Sequence, residues 1–374
     1  MNLSKHLRLL GLLTSAAAFA AFGAPSTALA GKSHFVNPYK VEQHVELEGE
    51  DAEYVVTCKG NDIAVDGMWR VDNVDQDNDW EDPDPTLAAF WATPLSATSI
   101  GTSPDLTIRK AIRPMAVYAD STDVSKYHFK FTPLAGADTQ IKLFVICVTN
   151  PLAAIGGHTH NWQFTTVPAQ QTATAPALSQ TTDPATAPVT VTATCPAKTI
   201  LVEPGFETTS TSHHVVYSRP LPSGPTWTGK QWGWKTWDDG VVAPATITYS
   251  WRCLDVKSSG PSSGPSHKHS LVFNKKETTW DNTGTPVNPK IGPQQIGERQ
   301  SHCGEHYKAL LGGWDVTAGW RAASAGPKPY PAHMWIYFLG MDPRIKTRAF
   351  KFLNTDEIPG VVTTAVVCFK DRTT

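Results

Sequence analysis

Two short histidine motifs have the clearest potential for metal chemistry in this sequence. One contains His158 and His160, the other His267 and His269, and each is followed by a phenylalanine four residues after its second histidine. Residues two apart in a strand point to the same side, so each motif could offer two imidazoles to one ion. Imidazole suits Cu(II) and Zn(II), and these four histidines therefore predict a copper or zinc site. Because complete sites usually have three or four ligands, polar strand positions are the alternative interpretation.

An acidic segment near residues 72–85 offers ligands of a different kind. Asp75, Asp77 and Asp79 alternate along it. Carboxylate oxygens are the hard ligands that Ca²⁺ requires. In the helix-loop-helix calcium pattern, however, Trp80 occupies the position of the glycine and Thr86 that of the bidentate glutamate. The segment therefore predicts either a calcium loop of non-standard form or a solvated acidic loop.

Tryptophan is concentrated between residues 226 and 240. Trp232, Trp234 and Trp237 lie there, and the first two share one face if the segment is extended. Exposed aromatic rings stack on sugar rings, so these three residues are candidates for ligand binding. The alternative is that the rings fill a small core, where aromatic side chains supply much of the buried area.

Catalytic motifs give little guidance. The sequence contains no His-Glu-x-x-His motif and no phosphate-binding glycine loop with a lysine. The stretch Gly260–Gly264 matches the pattern of a nucleophile elbow but lies in a Pro/Ser/Gly-rich segment without a flanking strand and helix. No pair of carboxylates is singled out for glycoside chemistry. No catalytic residue is therefore assigned.

Six cysteines divide the chain into three similar parts. An even number of cysteines in an exported chain predicts disulfides, but six leave 15 pairings open. Cys58, Cys195 and Cys303 each precede a short apolar strand, a glycine nine or ten residues later and then an aromatic residue. Each remaining cysteine ends a β-type stretch. The repeat therefore predicts the pairs Cys58–Cys147, Cys195–Cys253 and Cys303–Cys368.

The composition and the placement of turn-forming residues predict an all-β fold. Val, Thr, Tyr, Trp and Phe recur in short stretches between Gly, Pro, Asn and Asp, and long runs of helix formers are absent. We expect three tandem disulfide-stapled β modules, sandwich-like or barrel-like, with few or no long helices. The expected boundaries are module 1 at 31–164 with an acidic insertion, a Thr/Ala/Pro-rich linker at 165–192, module 2 at 193–256, a Ser/Gly/Pro linker at 257–266, and module 3 at 267–374.

The N-terminus predicts export. Lys5 and Arg8 precede an apolar run, and Ala28-Leu29-Ala30 provides a small-x-small cleavage site, which together are typical of a secretory signal peptide at residues 1–30. With 30 basic and 34 acidic residues left after cleavage, the net charge is −4, which disfavours a nucleic-acid partner. No later apolar stretch approaches the length of a transmembrane helix. We expect a secreted or periplasmic protein.

These observations favour a non-enzymatic exported protein that binds a polymer or a cell-surface ligand through repeated β modules. Repeated modules multiply weak contacts through effective concentration. One alternative is a Cu/Zn-binding protein that uses the histidine motifs. Another is a hydrolase acting on an extracellular polymer.

Overall fold

The protein is almost entirely β-structure, which confirms the predicted fold class. The computed structural model describes residues 36–71, 112–161, 170–258, 269–280, 296–321 and 333–373, with short gaps inside these ranges at 37, 49, 134–137, 151, 154–158, 180–181, 189–190, 211–212, 223–226, 239–245, 335 and 355–359. The predicted signal peptide lies outside these residues.

The strands follow one another through three consecutive segments of the chain. The first segment (36–161) contains β1 (Pro38–Glu48), β2 (Ala52–Thr57), β3 (Ile63–Val71), β4 (Ile112–Ala119), β5 (Lys126–Pro133), β6 (Asp138–Val148), β7 (Leu152–Ala153) and β8 (Thr159–His160). The second segment (170–258) contains β9 (Gln170–Pro176), β10 (Leu178–Ser179), β11 (Val191–Thr194), β12 (Thr199–Thr208), β13 (His213–Leu221), β14 (Gln231–Asp238) and β15 (Thr246–Asp255). The third segment (269–373) contains β16 (His269–Trp280), β17 (Ile296–His302), β18 (Lys308–Asp315), a 3-10 turn (Thr317–Gly319), β19 (Trp320–Arg321), β20 (His333–Met334), β21 (Ile336–Pro343), β22 (Thr347–Asn354) and β23 (Val362–Thr373).

Three large sheets contain most of these strands. Sheet I has the order β1-β6-β3-β21-β22-β17, and sheet II has the order β9-β15-β12-β4-β5-β2. Sheet III has the order β16-β23-β18-β13-β14, and both β10 and β11 pair with β14 at the far side. The short pairs β7–β8 and β19–β20 complete the β-structure of the described residues.

Each large sheet joins strands of two different segments. The first and third segments meet at the β3–β21 seam of sheet I, where Gly340 pairs with Arg70. The first and second meet at the β4–β12 seam of sheet II. The second and third meet at the β13–β18 seam of sheet III. The three segments therefore form a closed ring in which each contributes strands to two sheets.

A register shift accompanies every strand at a seam. Register shifts occur within the strand pairs β3–β6, β12–β15 and β18–β23. They also occur within the pairs β4–β5, β13–β14 and β21–β22. β-Bulges bend a strand and increase its twist. These six irregularities therefore lie where each sheet passes from one segment to the next.

One continuous hydrophobic core lies between the three sheets. It includes residues of all three segments, while a small second cluster surrounds Cys303 and Cys368. Aromatic rings supply much of its volume, with Trp69, Phe129 and Phe350 among the fully buried side chains. A core shared in this way stabilises the three segments together.

The disulfides connect different sheets. They join Cys58 to Cys147, Cys195 to Cys253 and Cys303 to Cys368, the same pairs that the repeat predicts. In each case the first cysteine directly follows an edge strand (β2, β11 or β17), and the second lies within β6, β15 or β23. The bonds therefore link sheet II to sheet I, sheet III to sheet II, and sheet I to sheet III.

The first predicted linker contains regular structure. Residues 170–176, assigned to the linker at 165–192, form β9, which pairs with β15 along its length. Thr172 and Thr174 are exposed, whereas Ala173 and Ala175 pack against the core. The residues are small, but their alternation is that of a half-buried edge strand, which explains why a composition suited to a linker forms a strand. Of the second linker, Lys257 bridges to Ser270 and Ser258 is buried.

Candidate functional site

The three candidate tryptophans are core residues. Trp232, Trp234 and Trp237 on β14 are 1%, 0% and 3% exposed. The indole N–H of Trp232 donates to Ser218 Oγ at 3.0 Å, and Trp234 packs against Tyr249 at 5.2 Å between ring centroids. A ring that stacks on a sugar must expose one face, so the prediction that these tryptophans bind a ligand is wrong. The interpretation as core-filling rings describes them correctly.

The histidine motifs are only partly visible. His160 is fully buried on β8, where it pairs with Leu152. His269 begins β16 opposite Thr373. His158 and His267 lie outside the described residues, so the predicted copper or zinc site stays a prediction.

The acidic loop also lies outside the described residues, with Asp75, Asp77 and Asp79 in the gap between 71 and 112. Within the portion of the chain that the structure describes, no group of three or more His, Cys, Asp or Glu side chains is arranged to hold a metal ion. The calcium prediction therefore remains untested as well.

A recess opens where the strands at the seams end or begin. Its walls come from the ends of β3 and β18 and from the starts of β4, β13 and β21, so that all three segments contribute to it. The lining residues are mainly apolar: Trp69, Ile112, Pro114, His214, Val215, Val216, Trp314, Val316, Ile336 and Phe338. We call this site the end recess.

Three aromatic rings form the floor of the end recess. Trp314 stacks on Phe338 with 4.0 Å between ring centroids, and Trp69 meets both rings edge-on at 5.6 and 5.4 Å. Edge-to-face and offset contacts of this kind are favourable beyond the area that they bury. Because Trp69 and Phe338 belong to the strands of the β3–β21 seam, this floor also fixes the first segment against the third.

His214, the polar residue in the lining of the end recess, contacts Arg113 beside the recess. A guanidinium nitrogen of Arg113 lies 2.8 Å from His214 Nε2. Guanidinium groups only donate hydrogen bonds, so His214 Nε2 accepts and carries no proton in this arrangement. One face of the imidazole stacks on Trp237, with 5.5 Å between ring centroids. Arg113 and His214 therefore join the first and second segments beside the recess.

The size of the end recess limits what it can hold. It encloses about 30 Å³, which is room for one or two groups of the size of a water molecule. A methyl or hydroxyl group of a larger molecule fits this space, whereas a whole sugar ring does not. Arg113 supplies a positive charge next to it. The recess can therefore contact one small group of a ligand, while Arg113 can donate a hydrogen bond to an acceptor nearby.

The residues of the end recess were only partly indicated by the sequence. Trp69 and Trp314 are the aromatic residues that follow the glycine in the first and third copies of the cysteine motif. This repetition is the sequence signal that could have pointed to the two tryptophans. Arg113 and His214 are 101 positions apart, and nothing in the local sequence relates them. On the same strand, His213 is buried, whereas the adjacent His214 lines the recess.

No protein-family profile matches this chain, and no curated protein matches it at a significant level of similarity. In the described parts of the chain, helical structure suited to crossing a bilayer is absent. The three disulfides are consistent with an extracellular or periplasmic protein.

Proposed function

We propose that this chain is an exported binding protein that recognises an extracellular or cell-surface polymer through its end recess. The observation that carries the proposal is the composition of the recess, whose walls come from all three segments. A site of this kind exists only when the ring of segments is closed. The rigid three-sheet body would then serve to hold the recess residues in place.

Export is part of the proposal. The N-terminal sequence has the charged, apolar and small-residue regions of a signal peptide, and all six cysteines are paired. Disulfides persist in oxidising compartments, so the mature chain beginning near Gly31 would work outside the cytoplasm.

The three segments would be copies of one six-stranded unit. Each large sheet has a seam at its centre, bulges beside it and a disulfide that leads to another sheet. In this view, repetition serves to build one closed body. It would not produce three separate low-affinity sites, because none of the three large sheets is built from one segment alone.

The polymer would contact Arg113 beside the recess and place one small group in the recess. Arg113 would donate to an acidic or carbonyl oxygen of the polymer, and a methyl or hydroxyl group would rest against Trp314 and Phe338. Hot spots of binding are typically small, well-packed pockets from which water is excluded, and the end recess, lined by aromatic and aliphatic side chains, is a site of this kind. No catalytic group is required for this function.

The test is a binding assay with the disulfide-intact mature chain. It is mixed with a panel of insoluble polysaccharides and isolated cell walls, and the bound fraction is measured. The variant Arg113→Gln/His214→Gln should lose at least tenfold in affinity. The control Arg344→Gln removes a half-exposed guanidinium beyond the far end of β21 and should bind as the unmodified chain does. Equal loss in both variants, or no binding to any polymer, would contradict the proposal.

A further inference from the structure

The end recess presents mainly carbon atoms to a group that enters it. Nine of its ten lining side chains are aromatic or aliphatic. In the described part of the chain, the indole N–H groups of Trp69 and Trp314 have no hydrogen-bond partner, and both nitrogens are buried. A nitrogen that a water molecule does not reach cannot donate a hydrogen bond to a ligand group either. The two rings therefore offer carbon atoms to the recess.

His214 is the remaining lining residue, and its acceptor nitrogen is occupied. Its Nε2 accepts a hydrogen bond of 2.8 Å from Arg113, and one face of its ring stacks on Trp237. A hydroxyl group in the recess would lose its hydrogen bonds to water and could not donate to this nitrogen. A methyl group has no such cost and would bury apolar surface. The recess therefore favours a methyl group.

The volume of the recess limits the length of that group. The enclosed space of about 30 Å³ accommodates a methyl group and little more. Its walls include Val216, Val316 and Ile336, each 2% exposed or less. Because these side chains belong to the close-packed core, the space widens only if the core repacks. A chain longer by two methylene groups would not fit.

A cation lies next to this apolar space. Arg113 donates to His214, and its two neighbours in the chain, Ile112 and Pro114, both line the recess. A guanidinium group carries five N–H donors and suits an oxygen acceptor. An oxygen close to the buried methyl group would meet this donor. An acetyl group has this composition, since its carbonyl carbon bears both the methyl group and the oxygen.

We propose that the end recess selects acetylated polysaccharides by binding the methyl group of an acetyl substituent against its aromatic floor. The carbonyl oxygen of the substituent accepts a hydrogen bond from Arg113, and the sugar ring stays outside the recess. This assignment rests on the proposed function and names the class of polymer that the chain binds. Acetamido groups and acetyl esters share the required chemistry.

The first experiment varies the ligand and uses the unmodified, disulfide-intact mature chain. Chitosan is N-acylated to one fixed extent with acetyl, propionyl or butyryl groups, and a series of xylan esters carries the same three groups. In at least one series, the acetyl form should bind about tenfold or more tightly than the butyryl form, because the longer chain exceeds the recess. The charge is constant within each series. The series with the tighter acetyl form identifies the source as acetamido or ester.

This inference and the proposed function fail in different ways. Binding that is lost in Arg113→Gln/His214→Gln but is equal for acetyl and butyryl polymers would overturn the acetyl selectivity and leave polymer binding in place. Binding to another polymer of the panel, with none to either acylated series, would overturn the selectivity as well. The absence of binding to any polymer would overturn both proposals.

The second experiment enlarges the recess with a conservative variant. Ile112→Val removes one carbon atom from the lining, a change that buried positions usually tolerate. The ratio of acetyl to propionyl affinity should fall about threefold or more, because the longer group gains room. Ile63→Val makes the same change at a buried position outside the lining and should keep the ratio of the unmodified chain. An unchanged ratio in Ile112→Val would overturn the placement of the acyl group in the recess.

Discussion

At the scale of single residues, the β3–β21 seam depends on one glycine. Gly340 has a φ of 119°, a conformation that side chains rarely adopt, and it pairs with Arg70. A Cβ at this position would lie 2.0 Å from the carbonyl oxygen of Trp69 and 2.6 Å from the Cα of Arg70. Both neighbouring atoms belong to the backbone of β3, so the clash can be relieved only if β3 and β21 move apart.

The substitution Gly340→Ala should therefore destabilise the protein by about 3 kcal/mol or more, because backbone strain and a clash act together. Denaturant unfolding monitored by tryptophan fluorescence measures the change. The control is Gly304→Ala, since Gly304 has an ordinary φ and no atom within 4 Å of the added Cβ. Equal stability of the two variants would show that the seam does not require glycine.

The buried ion pair between Arg252 and Glu203, whose Nη1 and Oε2 atoms lie 2.6 Å apart, gives a second prediction. Arg252→Met should cost about 3–5 kcal/mol, because it leaves a buried carboxyl without its counter-charge. The exposed pair Lys40–Glu42 is the matched comparison, and Lys40→Met should change stability by no more than about 1 kcal/mol. The measurement is the free energy of unfolding in urea at pH 7.5. If Arg252→Met changes the free energy of unfolding only slightly, the Glu203 carboxyl does not depend on Arg252 as its counter-charge.

At the scale of elements, the seams are short and other contacts must support them. Each seam pairs only one or two residues of its two strands. Charged side chains reinforce them from the outer side: Arg70 lies 3.7 Å from Asp342 across the first seam, and Arg219 lies 3.7 Å from Asp315 across the third. The disulfides then hold the sheets to one another at their corners.

The disulfides should contribute similar amounts to stability. Their sequence separations are 89, 58 and 65 residues, and the entropy of loop closure depends only on the logarithm of loop length. Replacing either Cys195 and Cys253 or Cys303 and Cys368 by alanine should cost about 4 kcal/mol, with the two variants within about 1 kcal/mol of each other. Urea unfolding of these double variants tests this. If only one of the two double variants loses stability, the disulfide removed in the other variant joins parts of the chain that are strained or flexible.

At the scale of the whole molecule, the segments are interdependent. The first segment alone would have the half-sheets β1-β6-β3 and β2-β5-β4, each with an apolar face and an unpaired edge at its seam. Three-stranded half-sheets of this kind bury their faces only when the other two segments close the ring. The predicted modules would then be units of sequence and of repetition without being independent units of folding.

An isolated fragment of residues 31–164 should therefore fail to fold cooperatively even with its disulfide formed. Near-UV circular dichroism and a ¹⁵N spectrum measure this, with the full mature chain as the control. Narrow amide dispersion and binding of a hydrophobic dye are the expected results. A dispersed spectrum with a sharp thermal transition would show that the fragment is an autonomous domain.

The sequence by itself determined the features that local chemistry controls. Alternating β-branched and aromatic residues between turn formers specify strands, and the recurrence around Cys58, Cys195 and Cys303 indicates the disulfide pairs. The tertiary structure alone decided which strands share a sheet, because seam partners such as Arg70 and Gly340 lie hundreds of residues apart. It also decided that the tryptophans of β14 are buried and that Arg113 meets His214. The physical reason is that periodicity shows which side of a strand is apolar, whereas only long-range packing determines what that side faces.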